Sequence, residues 1–350
     1  MPTSRTPDFN LNRPGELIAA LPAVLGFVPE HSLVLVTVDD GELGCILRID
    51  LSDAPSIERL AEVAAAAAPA AAIAVIVDRA GAACGVCNDR YRQLAAELTD
   101  ELARHGIELL AAHVVDRVAA GGRWHCADGC GAGGRVEDPS ASPLAAAAVL
   151  DGRRLYTRRS ELVAVVEPAP DRDPDLAEAI TRTAERRGEL RTDAQARRDV
   201  QDMIAAAGRI AAGSDIGEPQ LCALACALTD GRVRDTLYAL AVGDDAAIAE
   251  NLWAWLARML PEPWRTEALV LLAFSAYARG DGPLAGVSLD AALRGDPNHR
   301  MAGMLDTALQ SGLRPERIRE LALTGYRMAD RLGVRLPPRR AFGRAGCAPP

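Results

Sequence analysis

The sequence predicts a chain in two parts: an α/β domain whose mixed, largely parallel sheet begins with a hairpin, then an all-α domain. Three observations carry this. Apolar runs of strand length, rich in β-branched residues, alternate with helical patterns over residues 32–115. A proline-rich break follows at 168–174, and beyond it the apolar period is that of helices alone. At 350 residues the chain also exceeds what one core usually holds.

The elements follow in order. The run at 32–38 is uninterrupted, Asp39, Asp40 and Gly41 supply a turn, and 43–51 alternates, which makes a hairpin. Leu43, Cys45, Leu47, Ile49 and Leu51 should share one face of its second strand, with Gly44, Ile46, Arg48 and Asp50 on the other. Pro55 and Ser56 open a helix through Ala67, Pro69 stops it, and 73–77 is a short buried strand. Asn88 can cap a helix that runs to Arg104 and ends at His105 and Gly106, before a strand at 107–115. Short strand–helix–strand connections imply parallel pairing by right-handed crossovers. From Val118 to Gly134 the chain reads as a glycine-rich loop, and 139–150 with 160–166 suggest two helical pieces. The expected divisions are an α/β domain at 1–167, a linker at 168–175, a helical domain at 176–335 and a disordered tail at 336–350. Within the helical part, breaks fall at Gly188, 213–217, Gly231, Gly243 and 261–263. The stretch at about 266–298, with Tyr277, Gly280, Asp281, Ala285, Leu289 and an Asp296-Pro297-Asn298 turn, resembles one tetratricopeptide unit. A single unit cannot bury its own apolar face, so it should pack on its flanking helices.

Composition removes several function classes. The chain has no lysine, so all 39 basic residues are arginine, whose guanidinium does not deprotonate near neutral pH. Schiff-base and pyridoxal chemistry, P-loop nucleotide hydrolysis and protein kinase chemistry each need a lysine. A net charge of −9 argues against broad binding to nucleic acid. The first ten residues lack the apolar core of a signal peptide, and the alanine-rich stretch at 63–77 is too short to cross a bilayer, so a cytoplasmic protein is expected. Eight cysteines in such a chain should be buried thiols, metal ligands or redox pairs.

The segment at 11–36, with Pro14, Gly15, Leu25, Gly26, Phe27, Pro29, Ser32, Leu33 and Val34, resembles the opening of an uncharacterised bacterial domain-of-unknown-function family. Arg48, Asp50, Trp124 with Cys126 and Cys130, 159–162, 233–235, Trp253 and 280–282 extend the likeness over most of the chain. The resemblance implies no activity. The family's tryptophan region usually carries a longer cysteine-rich run, whereas here Gly131 follows Cys130.

Candidate chemistry concentrates in the first domain. Cys84-Gly85-Val86-Cys87 and Cys126-Ala127-Asp128-Gly129-Cys130 each suit zinc by spacing, and four thiolates would complete a structural site; packing is the competing account. In a parallel sheet the strands at 73–77 and 107–115 end at one edge, so loops carrying both pairs would meet there. Cys126 and Cys130 suit redox chemistry poorly, since it prefers two intervening residues at a helix start. The same edge gathers Asp78, Arg79, Asp116, Arg117, Trp124 and His125, a mix that a small-molecule pocket would use. Arg48, Asp78, Arg79, Asp116 and Trp124 are the ligand-binding candidates, and Asp116 and His125 the acid–base candidates. Arg48 and Asp50 share a side of their strand, where an ion pair is the default and a ligand-facing Arg48 the sharper alternative. His113 should face the core, and Ser32 fixes a turn, since no nucleophile elbow exists. Gly129, Gly131 and Gly134 spell a dinucleotide fingerprint without the strand and helix it needs. Cys222 and Cys226 share a helix face that alanine-rich packing explains, and the arginines at 182–198 read as solvated faces. The expected function is a cytoplasmic binding or regulatory protein that holds an unknown small molecule or protein at the loop-rich sheet edge, with neither nucleic acid nor membrane as partner. A small-molecule hydrolase or transferase using that edge, and a scaffold stabilised by zinc, are the alternatives.

Overall fold

Seven consecutive apolar residues at Ala71–Val77 are all buried, which demands cover on both faces and places this strand inside a sheet. The computed structural model describes residues 13–39, 42–52, 57–150, 152–188 and 191–340. The chain divides after Glu161 into two compact units, with Gln310–Gly312 clustering with the first.

The first unit holds strands β1 (Ser32–Asp39), β2 (Glu42–Asp50), β3 (Ala71–Val77), β4 (Glu108–Val115), β5 (Arg123–Cys126) and β6 (Gly133–Arg135), with helices α1 (Pro14–Leu25), α2 (Ile57–Ala65), α3 (Gly85–Arg104) and α4 (Pro143–Leu150); the short α5 (Arg159–Ala164) spans the division. The strand order is β2-β1-β3-β4-β5-β6. Only β3 and β4 pair in parallel; β1 is antiparallel to both β2 and β3, and β4–β5 and β5–β6 are antiparallel. The sheet is therefore mixed, not largely parallel. The crossovers do join parallel strands, but the one through α2 steps over β1, which lies antiparallel between β2 and β3. The segment expected as a glycine-rich loop supplies β5 and β6, strands of four and three residues that are too short for a periodic signal.

The hairpin carries an irregularity: Val36 faces Ile46 while Val38 faces Leu43, so β2 contains an extra residue. That bulge moves Leu43 off the face it was expected to share with Leu47 and Ile49. The tip residues 40–41 and the expected helix start at Pro55 and Ser56 lie outside the described residues. α1 lacks a clear periodic signal because it is apolar nearly all round and holds Pro22, and it closes on Gly26 at φ 74°, whose N–H reaches the Pro22 carbonyl. α3 begins at Gly85 with Cys84 as its N-cap; Asn88 lies within the first turn instead of capping it. One face of the sheet, with Leu33, Leu35, Ala74, Ile76 and Val114, packs on Ile57 and Leu60 of α2 and on Tyr91, Leu94, Leu98 and Leu102 of α3. Burial of such side chains contributes roughly 1.5–3 kcal/mol each.

The second unit is helical: α6 (Leu176–Arg187), α7 (Asp193–Ala211), α8 (Glu218–Leu228), α9 (Gly231–Leu237), a 3₁₀ turn at Tyr238–Val242, α10 (Ala246–Met259), α11 (Trp264–Arg279), α12 (Gly282–Gly295), α13 (Arg300–Gln310) and α14 (Pro315–Leu332). α11 is buried from Arg265 to Ala278 except at Glu267, and it packs on α10, α12 and α14. Gly280 at φ 89° ends α11, and the Asp281 carboxylate accepts the Leu284 N–H at 3.1 Å to start α12. The tetratricopeptide-like stretch is this helix pair.

Two expectations fail in this unit. Arg182, Arg186, Arg197 and Arg198 are exposed as expected, but Arg187 is only partly solvated and Arg191 less so: both turn onto Asp199, itself 6% exposed, and Arg191 also lies 3.3 Å from Asp230. A carboxylate buried on α7 needs cationic partners, which draws the arginines inward around a cavity of about 800 Å³ lined also by Arg232 and Cys226. The chain at 336–340 is tied down: Arg340 donates to Val242 at 2.9 Å, Asp244 donates to Pro338 at 3.0 Å, and the Tyr326 hydroxyl donates to Pro337 at 3.1 Å. Residues 341–350 lie outside the described residues.

Candidate functional site

The register assembles one end of the sheet. Asp50 pairs with Ser32, Ser32 with Val77, Val77 with Val115, and Val115 with Trp124, so one row of paired residues crosses five strands. Asp78 and Asp116 follow the ends of β3 and β4. The predicted residues Arg48, Asp78, Arg79, Asp116 and Trp124 therefore gather at one end, but alternation divides them between two faces. The core row Leu33, Ile76 and Val114 pairs on to His125, which sets His125 on the α3 face. Arg48, His113 and Cys126 fall in a row on the opposite face, with Trp124 beside them.

On the α3 face Asp78 is 8% exposed. Its carboxylate accepts the Ala80 N–H at 3.0 Å and the Tyr91 hydroxyl, and His31 Nδ1 lies 3.7 Å away. Burial alone would raise its pKa, but hydrogen bonds from Tyr91, Gly81 and Ala80, with His31 nearby, outweigh burial and hold it below the usual carboxylate range. Burial and this carboxylate push the Tyr91 phenol up. A Cβ at Gly81 would collide with both the Tyr91 hydroxyl and Asp78, so the chain needs glycine there. Cys84 and Cys87 stand on the first turn of α3, both partly exposed, and Asn88 beside them meets His125 at 3.0 Å. Burial lowers the pKa of His125, favouring the neutral ring.

The acid–base candidates are held by different partners. Asp116 accepts the Arg123 N–H at 2.8 Å and meets Arg117 at 3.2 Å, whereas His125 is engaged by Asn88. Arg48 forks onto Asp50, with one contact at 3.0 Å, and donates to Ser32 Oγ at 2.8 Å. Arg79 is exposed.

On the opposite face His113, 4% exposed, stacks edge-on against Trp124 with ring centroids 5.1 Å apart. Its Nδ1 lies 3.8 Å from Cys126 Sγ, and burial lowers its pKa to about 4. A Cβ at Gly134 would sit 3.0 Å from the Trp124 indole nitrogen, a tight contact that would press on the ring. Cys126, Asp128 and Cys130 offer ligand atoms all within 4.8 Å of one another, and among the described residues this is the one such group of three or more. Neither Cys84 nor Cys87 joins it, so the four thiols do not form one set. Burial and then the hydrogen bond to Cys130 raise the Cys126 thiol to about 11, while the Cys130 amide lowers Asp128. The sequence reading missed Tyr91, which falls on the apolar period of α3 and reads as core, and His31 and Asp128, which carry no periodic signal.

A family described as a domain of unknown function, DUF4192, matches residues 14–316. No curated protein and no solved structure matches the chain.

Proposed function

The chain belongs to the DUF4192 family, and from that premise we propose that it is a binding or regulatory protein of the cytoplasm whose working surface is the end of the N-terminal sheet, on the α3 side. The observation that carries this reading is Asp78, a nearly buried carboxylate kept ionised at a strand end with His31, Tyr91, Cys84 and Cys87 around it. Buried charge is costly and concentrates where a site uses it. Among the described residues no helix is long and apolar enough to cross a membrane. A thermal-shift screen of small polar metabolites tests the reading. A true ligand at ~100 times its Kd adds about 2.7 kcal/mol of stability. That gain should vanish in the Asp78→Asn/Asp116→Asn variant, and ligands that stabilise both proteins equally would overturn the proposal. The acid–base alternative lacks support from geometry, because Asp116 and His125 have separate partners.

A second reading, a hairpin braced by metal, is favoured by the Cys126, Asp128 and Cys130 group. Two sulfurs and a carboxylate are a donor set that zinc accepts. Elemental analysis of protein purified without a histidine tag should then give about one zinc per chain. Cys126→Ser should release it and lower Tm; zinc near zero removes this reading.

A further inference from the structure

We propose that Cys84 and Cys87 form a working dithiol at the amino end of α3 and exchange with substrates that carry a disulfide bond. The inference rests on the α3 side of the sheet end being the working surface, and it names the chemistry performed there. Four observations on that surface converge.

The first is placement. Cys84 is the N-cap of a 20-residue helix, with extended backbone at φ −94° and ψ 121°, and Cys87 is the third residue of its first turn. Two intervening residues across a helix start bring the sulfurs within reach of each other, and the positive end of the helix dipole favours a thiolate. The second is access. Both cysteines are free and partly exposed, nothing lies within 4 Å of where a Gly85 side chain would begin, and Val86 between them is 81% exposed.

The third is asymmetry. Proximity of Cys84 Sγ to the Cys87 amide and then to the Cys87 thiol lowers the Cys84 pKa, while the nearness of the same thiol and burial raise that of Cys87. The charged groups acting on the pair are Asp78, which opposes ionisation of both, and Arg90, which favours ionisation of Cys87. Cys84 is thus the attacking sulfur and Cys87 the resolving one. The fourth is contrast: Cys126 and Cys130 have three intervening residues on a hairpin turn, and Cys222 and Cys226 are buried on α8.

The exchange balances. The Cys84 thiolate attacks one sulfur of the substrate disulfide, forming a mixed disulfide and expelling the other sulfur as a thiolate, which takes up a proton. Cys87 then loses its proton to solvent and attacks Cys84 Sγ, closing the Cys84–Cys87 disulfide and releasing the second substrate sulfur, which is protonated in turn. The substrate disulfide gains two electrons and the protein dithiol loses two; a dithiol substrate runs the same steps backward.

The test uses the full chain and oxidised glutathione, with peptide mass mapping after alkylation. Serine caps helices well, so Cys84→Ser should keep the fold, and Cys87→Ser exchanges a partly exposed side chain for one of similar size; Tm checks both. In the wild type a Cys84–Cys87 disulfide should form reversibly, and iodoacetamide at pH 7 should modify Cys84 at least about tenfold faster than Cys87. Cys87→Ser should trap glutathione on Cys84, whereas Cys84→Ser should leave Cys87 nearly unmodified. Absence of the internal disulfide under excess oxidised glutathione, or faster modification of Cys87, would falsify the exchange. The two proposals fail separately. Ligand stabilisation that depends on Asp78 and persists in Cys84→Ser, without a disulfide in the wild type, overturns exchange alone. Glutathione exchange at Cys84, with no metabolite whose effect depends on Asp78 and Asp116, supports exchange and overturns small-molecule binding.

Discussion

Asp78 stays charged at 8% exposure because three hydrogen-bond donors converge on it, the Tyr91 hydroxyl and the Gly81 and Ala80 amides. Its folded pKa lies below the ordinary value of about 3.9, so the stability it contributes is fully present above pH ~4 and is lost as pH falls through the folded value. Asp78→Asn should therefore cost about 1–3 kcal/mol at neutral pH. The Tm gap from wild type should close below pH ~4; a gap constant from pH 7 to pH 3 would show that charge plays no part. The aspartate itself was legible as a polar residue at the end of an apolar run. Its partner was not, since Tyr91 shares the spacing of Leu94, Leu98 and Leu102 and nothing in that spacing marks a hydroxyl aimed at a carboxylate.

Among the elements, β1, β3, β4 and most of α3 could be read from composition because each is long and strongly patterned. β5 and β6 could not, because their pairing comes from neighbours and not from their own residues: β5 exists because β4 presents a free edge to it. Close approach of helices is equally invisible in sequence. Gly325 on α14 sits where a Cβ would lie 2.8 Å from both the Cβ and the N of Ala239, and 2.9 Å from the Asp235 carbonyl. Backbone atoms cannot step aside, so α14 must shift if a side chain is added. Gly325→Ala is expected to cost about 1–3 kcal/mol by overpacking, which would outweigh the ~1 kcal/mol that alanine gains in a helix. Chemical denaturation would measure it, and a stabilised variant would mean the helix moves freely.

For the molecule as a whole, the segment at 336–340 belongs to the fold despite its prolines and arginines. Proline cannot donate a backbone hydrogen bond, yet Pro337 and Pro338 both accept one, from Tyr326 and Asp244. Ending the chain at Arg335 should lower Tm by several degrees, since hydrogen bonds to Asp244, Tyr326 and Val242 are lost together. Hydrogen exchange at the Asp244 amide should quicken in the same variant; an unchanged amide would show that the segment is not held. The order of secondary structure, the change from strands to helices, the absence of lysine chemistry and the family likeness were all determined by the sequence itself, because they depend on local pattern and residue type. Which strands pair in parallel, which cysteines stand together, and which face each rim residue occupies were decided only by the tertiary structure. A single crossover stepping over β1, and one alternation of the pleat, separate residues that spacing alone would unite.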